Sequence, residues 1–100
     1  MQIKDVEQLT GMPRANIRYY EKQGLLDRTI RNEFNYRDYT EEDVRQLQRI
    51  KLLRMLEVSM EDIKEMKNDV PKMEETILKL LSDLTETVEE IIYKKIEKSY

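Results

Sequence analysis

The sequence predicts a mainly α-helical fold, and three observations carry that prediction. Only two Gly and two Pro punctuate 100 residues, and these are the residues that most often end regular structure. Apolar residues recur at spacings of three and four through most of the chain, the period of an amphipathic helix. Beyond Pro71 neither Gly nor Pro occurs up to Tyr100, so nothing in the last third stops a single long helix. At 39% hydrophobic and 39% charged, the chain is polar and has material for only a modest core.

Ile3, Val6 and Leu9 give a short first helix that stops at Thr10-Gly11. After a turn of three to four residues, Pro13 suits a first helical turn and Gly24 the left-handed position beyond a helix end, which frames a second helix of about three turns. On it Arg14, Arg18 and Lys22 recur every four residues along one face, while Ile17 and Tyr20 point elsewhere and are available for burial. Two helices joined by a tight Gly turn, the second with a basic outer face, have the layout of a helix-turn-helix, whose second helix enters the DNA major groove.

Residues 27–39 lack helical periodicity and place Ile30, Phe34, Tyr36 and Tyr39 among polar residues and turn-forming Asn32 and Asn35, which reads as a short β-hairpin or wing. Arg28, Arg31, Tyr36 and Arg37 in this stretch suit contacts to phosphate. Thr40 then begins a helix in a capping-box pattern with Asp43 in the usual Glu position, stapled by Tyr39 and Val44 and buried through Val44, Leu47, Ile50 and Leu53. The device repeats at Ser59–Asp62 with Val58 and Ile63, so a fourth helix runs to about Asn68, with Leu56 and Met66 completing the core. Residues 68–71 form the last break, which divides the chain into a unit over 1–70 and a helix over 71–100. In that helix Ile77, Leu81, Leu84, Val88 and Ile91 alternate spacings of four and three, a coiled-coil stripe suited to dimerisation, with Leu80, Ile92 and Ile96 widening it and Lys95 interrupting it late. The end of the chain carries no stop signal, as expected of a segment of a longer protein.

Charge is unevenly placed. The net charge of −3 divides into +2 over residues 1–54 and −5 over residues 55–100, so an acidic rear hides a mildly basic front. There is no Cys and no His, which removes disulfides, thiolate nucleophiles, Cys/His zinc sites and imidazole acid–base chemistry. No cofactor is implied and no enzyme is indicated, since carboxylates abound without a Ser, Cys or His constellation. No apolar run approaches the roughly 18 residues of a membrane span and no signal-peptide core opens the chain, so a soluble, cytoplasmic protein without membrane contact is expected.

Taken together, IKDVEQLTGMPRANIRYYEKQGLL and RNEFNYRDYTEEDVRQLQRIKLLRMLEVSMEDI resemble the N-terminal DNA-binding domain of the MerR family of bacterial transcriptional regulators. The resemblance rests on the TG turn, the R-Y-Y-E-x-x-G-L segment from Arg18 to Leu25, the Y-R-x-Y segment from Tyr36 to Tyr39, the capped helix after it, and the V-S-x-E-D-I segment from Val58. It covers about residues 2–68. It implies a winged helix-turn-helix, a homodimer built on an antiparallel long helix, double-stranded promoter DNA as the partner, and an indirect action on RNA polymerase through distortion of an over-long promoter spacer. Carried over, the recognition-helix contacts are Arg14, Asn16, Arg18 and Tyr19, with Tyr20 nearer the core, and the wing contacts to phosphate are Arg31, Tyr36 and Arg37. Three positions depart from the family's pattern: Asn35 and Glu57 stand where Gly is usual, and Pro13 where a Ser or Thr cap is common. The cysteines with which metal- and redox-sensing members bind their inducers are absent. Two readings from other classes stand beside this one, an adaptor that uses only the amphipathic tail and an excisionase-like DNA-bending accessory protein, against which the long stripe argues.

Overall fold

Each helix begins where a side chain takes up an N–H group that the first turn leaves unpaired. In the computed structural model, which describes residues 1–26, 33 and 37–98, α1 (Ile3–Thr10), α2 (Arg14–Lys22), α3 (Glu41–Met55), α4 (Met60–Met66) and α5 (Val70–Lys98) follow in order. At α1 the Asp5 carboxylate accepts the Gln2 N–H at 3.0 Å. At α3 Thr40 and Asp43 exchange two bonds of 3.0 Å, so Asp performs the reciprocal half of the box as well as Glu would. Ser59 accepts the Asp62 N–H at α4. Asp69, unremarked in the sequence, caps α5 by accepting the Lys72 N–H at 3.1 Å. Because Asp69 provides this start, Pro71 falls inside the first turn of α5 and does not break the chain after residue 70.

The ends of α2 and α3 follow one pattern. Gly24, at φ +77°, closes α2 with Gly24 N–H to the Glu21 carbonyl and Leu25 N–H to the Tyr20 carbonyl, a Schellman motif. The end of α3 repeats these two bonds, from Glu57 N–H to Arg54 and from Val58 N–H to Leu53. The residue in the left-handed position there is Glu57, at φ +65°. A glutamate thus adopts the backbone that the missing glycine would have taken, at a cost of roughly 1 kcal/mol.

The buried side chains form two adjoining clusters. Val6, Ile17, Val44 and Leu47 centre the first, which joins α1, α2 and the start of α3, and Tyr39 sits in it as the expected staple. Leu25, Ile50, Leu53, Ile63, Met66, Met73 and Ile77 form the second. Tyr20 packs against both. The first two turns of α5 therefore belong to the globule's core. Ile77, expected to start the dimer stripe, is 7% exposed and lies in that core, because α5 packs along α3 before it leaves the globule. From Leu81 to Lys98 every residue of α5 is exposed, a projecting rod of about 27 Å at 1.5 Å per residue. Leu81, Leu84, Val88 and Ile91 all lie bare on it, joined by Ile92 and Ile96.

The hairpin expected over residues 27–39 lies outside the described residues, apart from a turn at Glu33 and the segment from Arg37. Arg28, Arg31 and Tyr36 lie outside them too, as does Asn35. Among the described residues there are five helices and no strand. None of the helices is long and apolar enough to cross a membrane.

Candidate nucleic-acid interface

The helix with the basic face is clamped at both ends. Pro13 has no side chain able to cap α2, so its start is served by α1: Glu7 Oε2 accepts the Arg14 N–H at 3.2 Å. The other oxygen of Glu7 accepts from Arg14 Nε at 3.1 Å and Nη2 at 2.8 Å. The turn between the helices is closed by the Thr10 hydroxyl, which donates to the Val6 carbonyl and accepts the Met12 N–H, and by Lys51, which donates to the Thr10 carbonyl at 2.9 Å. Gly11 takes φ +65° in this turn.

At the other end, Lys64 Nζ donates to Gln23 Oε1 at 2.6 Å and Lys67 Nζ to the Gly24 carbonyl at 2.8 Å, so α4 grips the end of α2. Gln46, buried on α3, donates to the carbonyls of Leu25 and Lys67 and accepts two bonds from Arg49, which in turn reaches Glu42 at 2.6 Å. Arg49 is thus a buried strut, although its sequence neighbourhood suggests a surface charge. Its hydrogen bonds, with those of Arg45, hold the Glu42 carboxyl below its usual range. The contacts of Gln46, Lys64 and Lys67 across the fold join residues about 20 to 40 apart in sequence, so no local pattern announces them.

Between the clamps, Asn16, Arg18, Tyr19 and Lys22 all face solvent. Asn16, Arg18 and Lys22 make no side-chain hydrogen bond or ion pair among the described residues, and Tyr19 stacks edge-on against Tyr20 at 5.5 Å, which fixes its ring on the surface. Arg14 shares the face but is engaged by Glu7. The result is a rigid helix with two uncommitted cations, an amide and a phenol, which suits anionic phosphate and the donor and acceptor edges of bases.

Arg37 departs from expectation. Its side chain is only 11% exposed, with Nε 3.4 Å from Glu21 Oε1 and Nη2 3.6 Å from Asp43 Oδ2. Nη1 donates to the Asp38 carbonyl at 3.2 Å, and the guanidinium lies 4.5 Å over the Tyr39 ring. The guanidinium points into the domain rather than outward to phosphate, because two carboxylates and an aromatic face surround it there. The carboxylate of Asp38, next to Arg37 in sequence, binds the N-terminal ammonium at 2.8 Å. Burial, and then a hydrogen bond to Glu21, push the Tyr39 hydroxyl well above the usual phenol range, so it stays protonated.

Comparison with known proteins agrees with this geometry. The description "MerR HTH family regulatory protein" matches residues 1–69. The HTH-type transcriptional regulator CueR of Escherichia coli O6:H1 is 34% identical over 68 residues, which cover 68% of this chain and 50% of that protein. The heavy metal-dependent transcription regulator 2 of Rhizobium meliloti is 38% identical over 66 residues, covering 66% and 45%. The chain spans about half the length of these curated relatives. The crystal structure of HiNmlR, described as a MerR family regulator lacking the sensor domain, bound to promoter DNA, shares the fold with a TM-score of 0.65 at 24% identity, over 97% of this chain and 74% of that one. With a turn-linked helix pair followed by two capped helices, and a match that runs through all four of them, the chain belongs to the MerR HTH family of regulatory proteins.

Proposed function

We propose that this chain binds double-stranded promoter DNA as a homodimer, reads base sequence with α2, and controls transcription by distorting the promoter that RNA polymerase uses, in the cytoplasm. The observation that carries the reading is the bare face of Asn16, Arg18, Tyr19 and Lys22 on a helix held at both ends. A clamped helix presents its side chains in one geometry, which base readout requires and general charge attraction does not. The exposed stripe of Leu81, Leu84, Val88 and Ile91 supports the homodimer, since apolar residues at that spacing on a projecting helix are stabilised by a second helix.

The test is selection of bound duplexes from a random library at moderate salt. An inverted repeat, with half-sites one helical turn apart or a multiple of it, is the expected outcome, because a two-fold dimer reads two-fold DNA. Binding without any consensus, by protein shown to be folded, would contradict base readout and shift the function to the apolar tail.

A further inference from the structure

We propose that Arg37 is a positioning residue for DNA reading: by holding Glu21 against the domain, it keeps the Arg18 guanidinium free to face DNA. The inference rests on the reading of α2 as the DNA-reading helix. Arg18 and Glu21 are three residues apart on α2, the spacing at which an arginine and a glutamate on one helix pair. No such pair forms. Glu21 Oε1 lies 3.4 Å from Arg37 Nε, and the Glu21 side chain is 22% exposed.

Arg37 joins three elements at once. It meets Glu21 in the last turn of α2, Asp43 in the first turn of α3, and the Asp38–Tyr39 segment that leads into α3. Asp43 is itself fixed by the capping box with Thr40, and Tyr39 by the first core cluster. The guanidinium therefore sits on a rigid support and transmits that support to Glu21. The contact is electrostatic: Glu21 Oε1 and Arg37 Nε and Nη2 are buried without hydrogen-bond geometry among the described residues. Removal of the cation leaves two carboxylates in a shared, poorly solvated site, and the cation one turn back from Glu21 on its own helix is Arg18.

Arg37→Met, Glu21→Gln and the double variant Glu21→Gln/Arg37→Met separate this role from a direct phosphate contact. The probes are a random-sequence 30-bp duplex pool, titrated at several salt concentrations, and the duplex that the wild type enriches from it. Circular dichroism and thermal unfolding monitor the fold. Arg37→Met is expected to weaken binding to the enriched duplex about tenfold and to flatten the base preference assigned to Arg18, with the salt slope on the pool little changed. The double variant, whose net charge equals that of the wild type, is expected to recover to within about threefold. Glu21→Gln alone removes the competing anion and leaves Arg37 on Asp43, so it is expected to bind at least as tightly with an unchanged slope.

A slope lowered by about 0.9 in both Arg37 variants would identify Arg37 as a phosphate ligand and overturn the proposal. Absence of recovery in the double variant would overturn it also. Should Arg37→Met fail to fold, Glu21→Gln decides alone, since a slope raised by about 0.9 would mean that Arg37 had been released to DNA. Failure of the wild type to enrich any sequence would remove the underlying reading, an outcome distinct from all of these.

Discussion

Leu84→Ala puts the exposed stripe to a quantitative test. Leu84 is 53% exposed in the protomer, and about half its surface is left for a partner to cover. Full burial of a leucine side chain is worth roughly 1.5–3 kcal/mol, so the uncovered half contributes roughly 0.75–1.5 kcal/mol. A two-fold dimer loses this twice, about 1.5–3 kcal/mol, which weakens dimerisation about 10- to 150-fold at 1.4 kcal/mol per tenfold. Sedimentation equilibrium over a range of concentrations reads the dissociation constant directly. Ile77→Ala serves as the contrast, because Ile77 lies in the core and its truncation opens a cavity worth about 2–5 kcal/mol of folding stability. Leu84→Ala is expected to change association while leaving the monomer's far-ultraviolet spectrum intact, and Ile77→Ala to lower the Tm at every protein concentration. An association constant within about threefold of the wild type for Leu84→Ala would refute the assignment of this stripe as the dimer seam.

Two further predictions follow from local geometry. Glu57→Gly relieves the left-handed backbone at φ +65°; set against the greater chain entropy of glycine, the expected gain is up to about 0.5 kcal/mol, a rise of about two to four degrees in Tm at most. A lower Tm would mean that the glutamate side chain contributes more than its backbone costs. Glu42→Gln is expected to lower the Tm by a few degrees at neutral pH, since Glu42 accepts from Arg49 at 2.6 Å and Arg45 at 3.0 Å but is half-exposed and screened. The carboxyl's folded value lies below its ordinary value of 4.5. Its contribution is therefore present above that pH and lost as the pH falls through the folded value, so the Tm gap between variant and wild type should close as the pH is lowered below the ordinary carboxylate range. A gap that widens in acid would contradict this.

What the sequence disclosed was governed by distance along the chain. The caps at Thr40 and Ser59, the left-handed Gly11 and Gly24, and the buried face of Val44, Leu47, Ile50 and Leu53 are set by neighbours within four residues, and all were legible. At position 57 only the departure from the family's usual glycine was legible, and the left-handed backbone there came from the structure. Partners across the fold were not. Nothing near Arg37 in sequence points to Glu21, which lies 16 residues away on another helix, and the residue's chemistry suits phosphate and carboxylate equally. Arg49 was hidden in the same way, since Glu42 and Gln46 on its own helix look like ordinary surface neighbours until Gln46 is seen to bond the backbone at Leu25 and Lys67. Ile77 has the right spacing for the stripe, yet α5 keeps one apolar face throughout and only tertiary packing shows where the globule ends and the bare helix begins.

The central claim, that α2 reads bases, is tested most directly by the base-preference profile of Arg18→Ala selected in parallel with the wild type from one random duplex library. Arg18 lies on the bare face with no side-chain hydrogen bond or ion pair among the described residues, and loss of a base contact by an arginine costs about 1–3 kcal/mol of discrimination at its position. The expected result is the same inverted repeat with preference lost at one symmetric pair of positions. A profile identical to the wild type at every position, with binding merely weakened, would show that Arg18 does not read bases and would contradict the account.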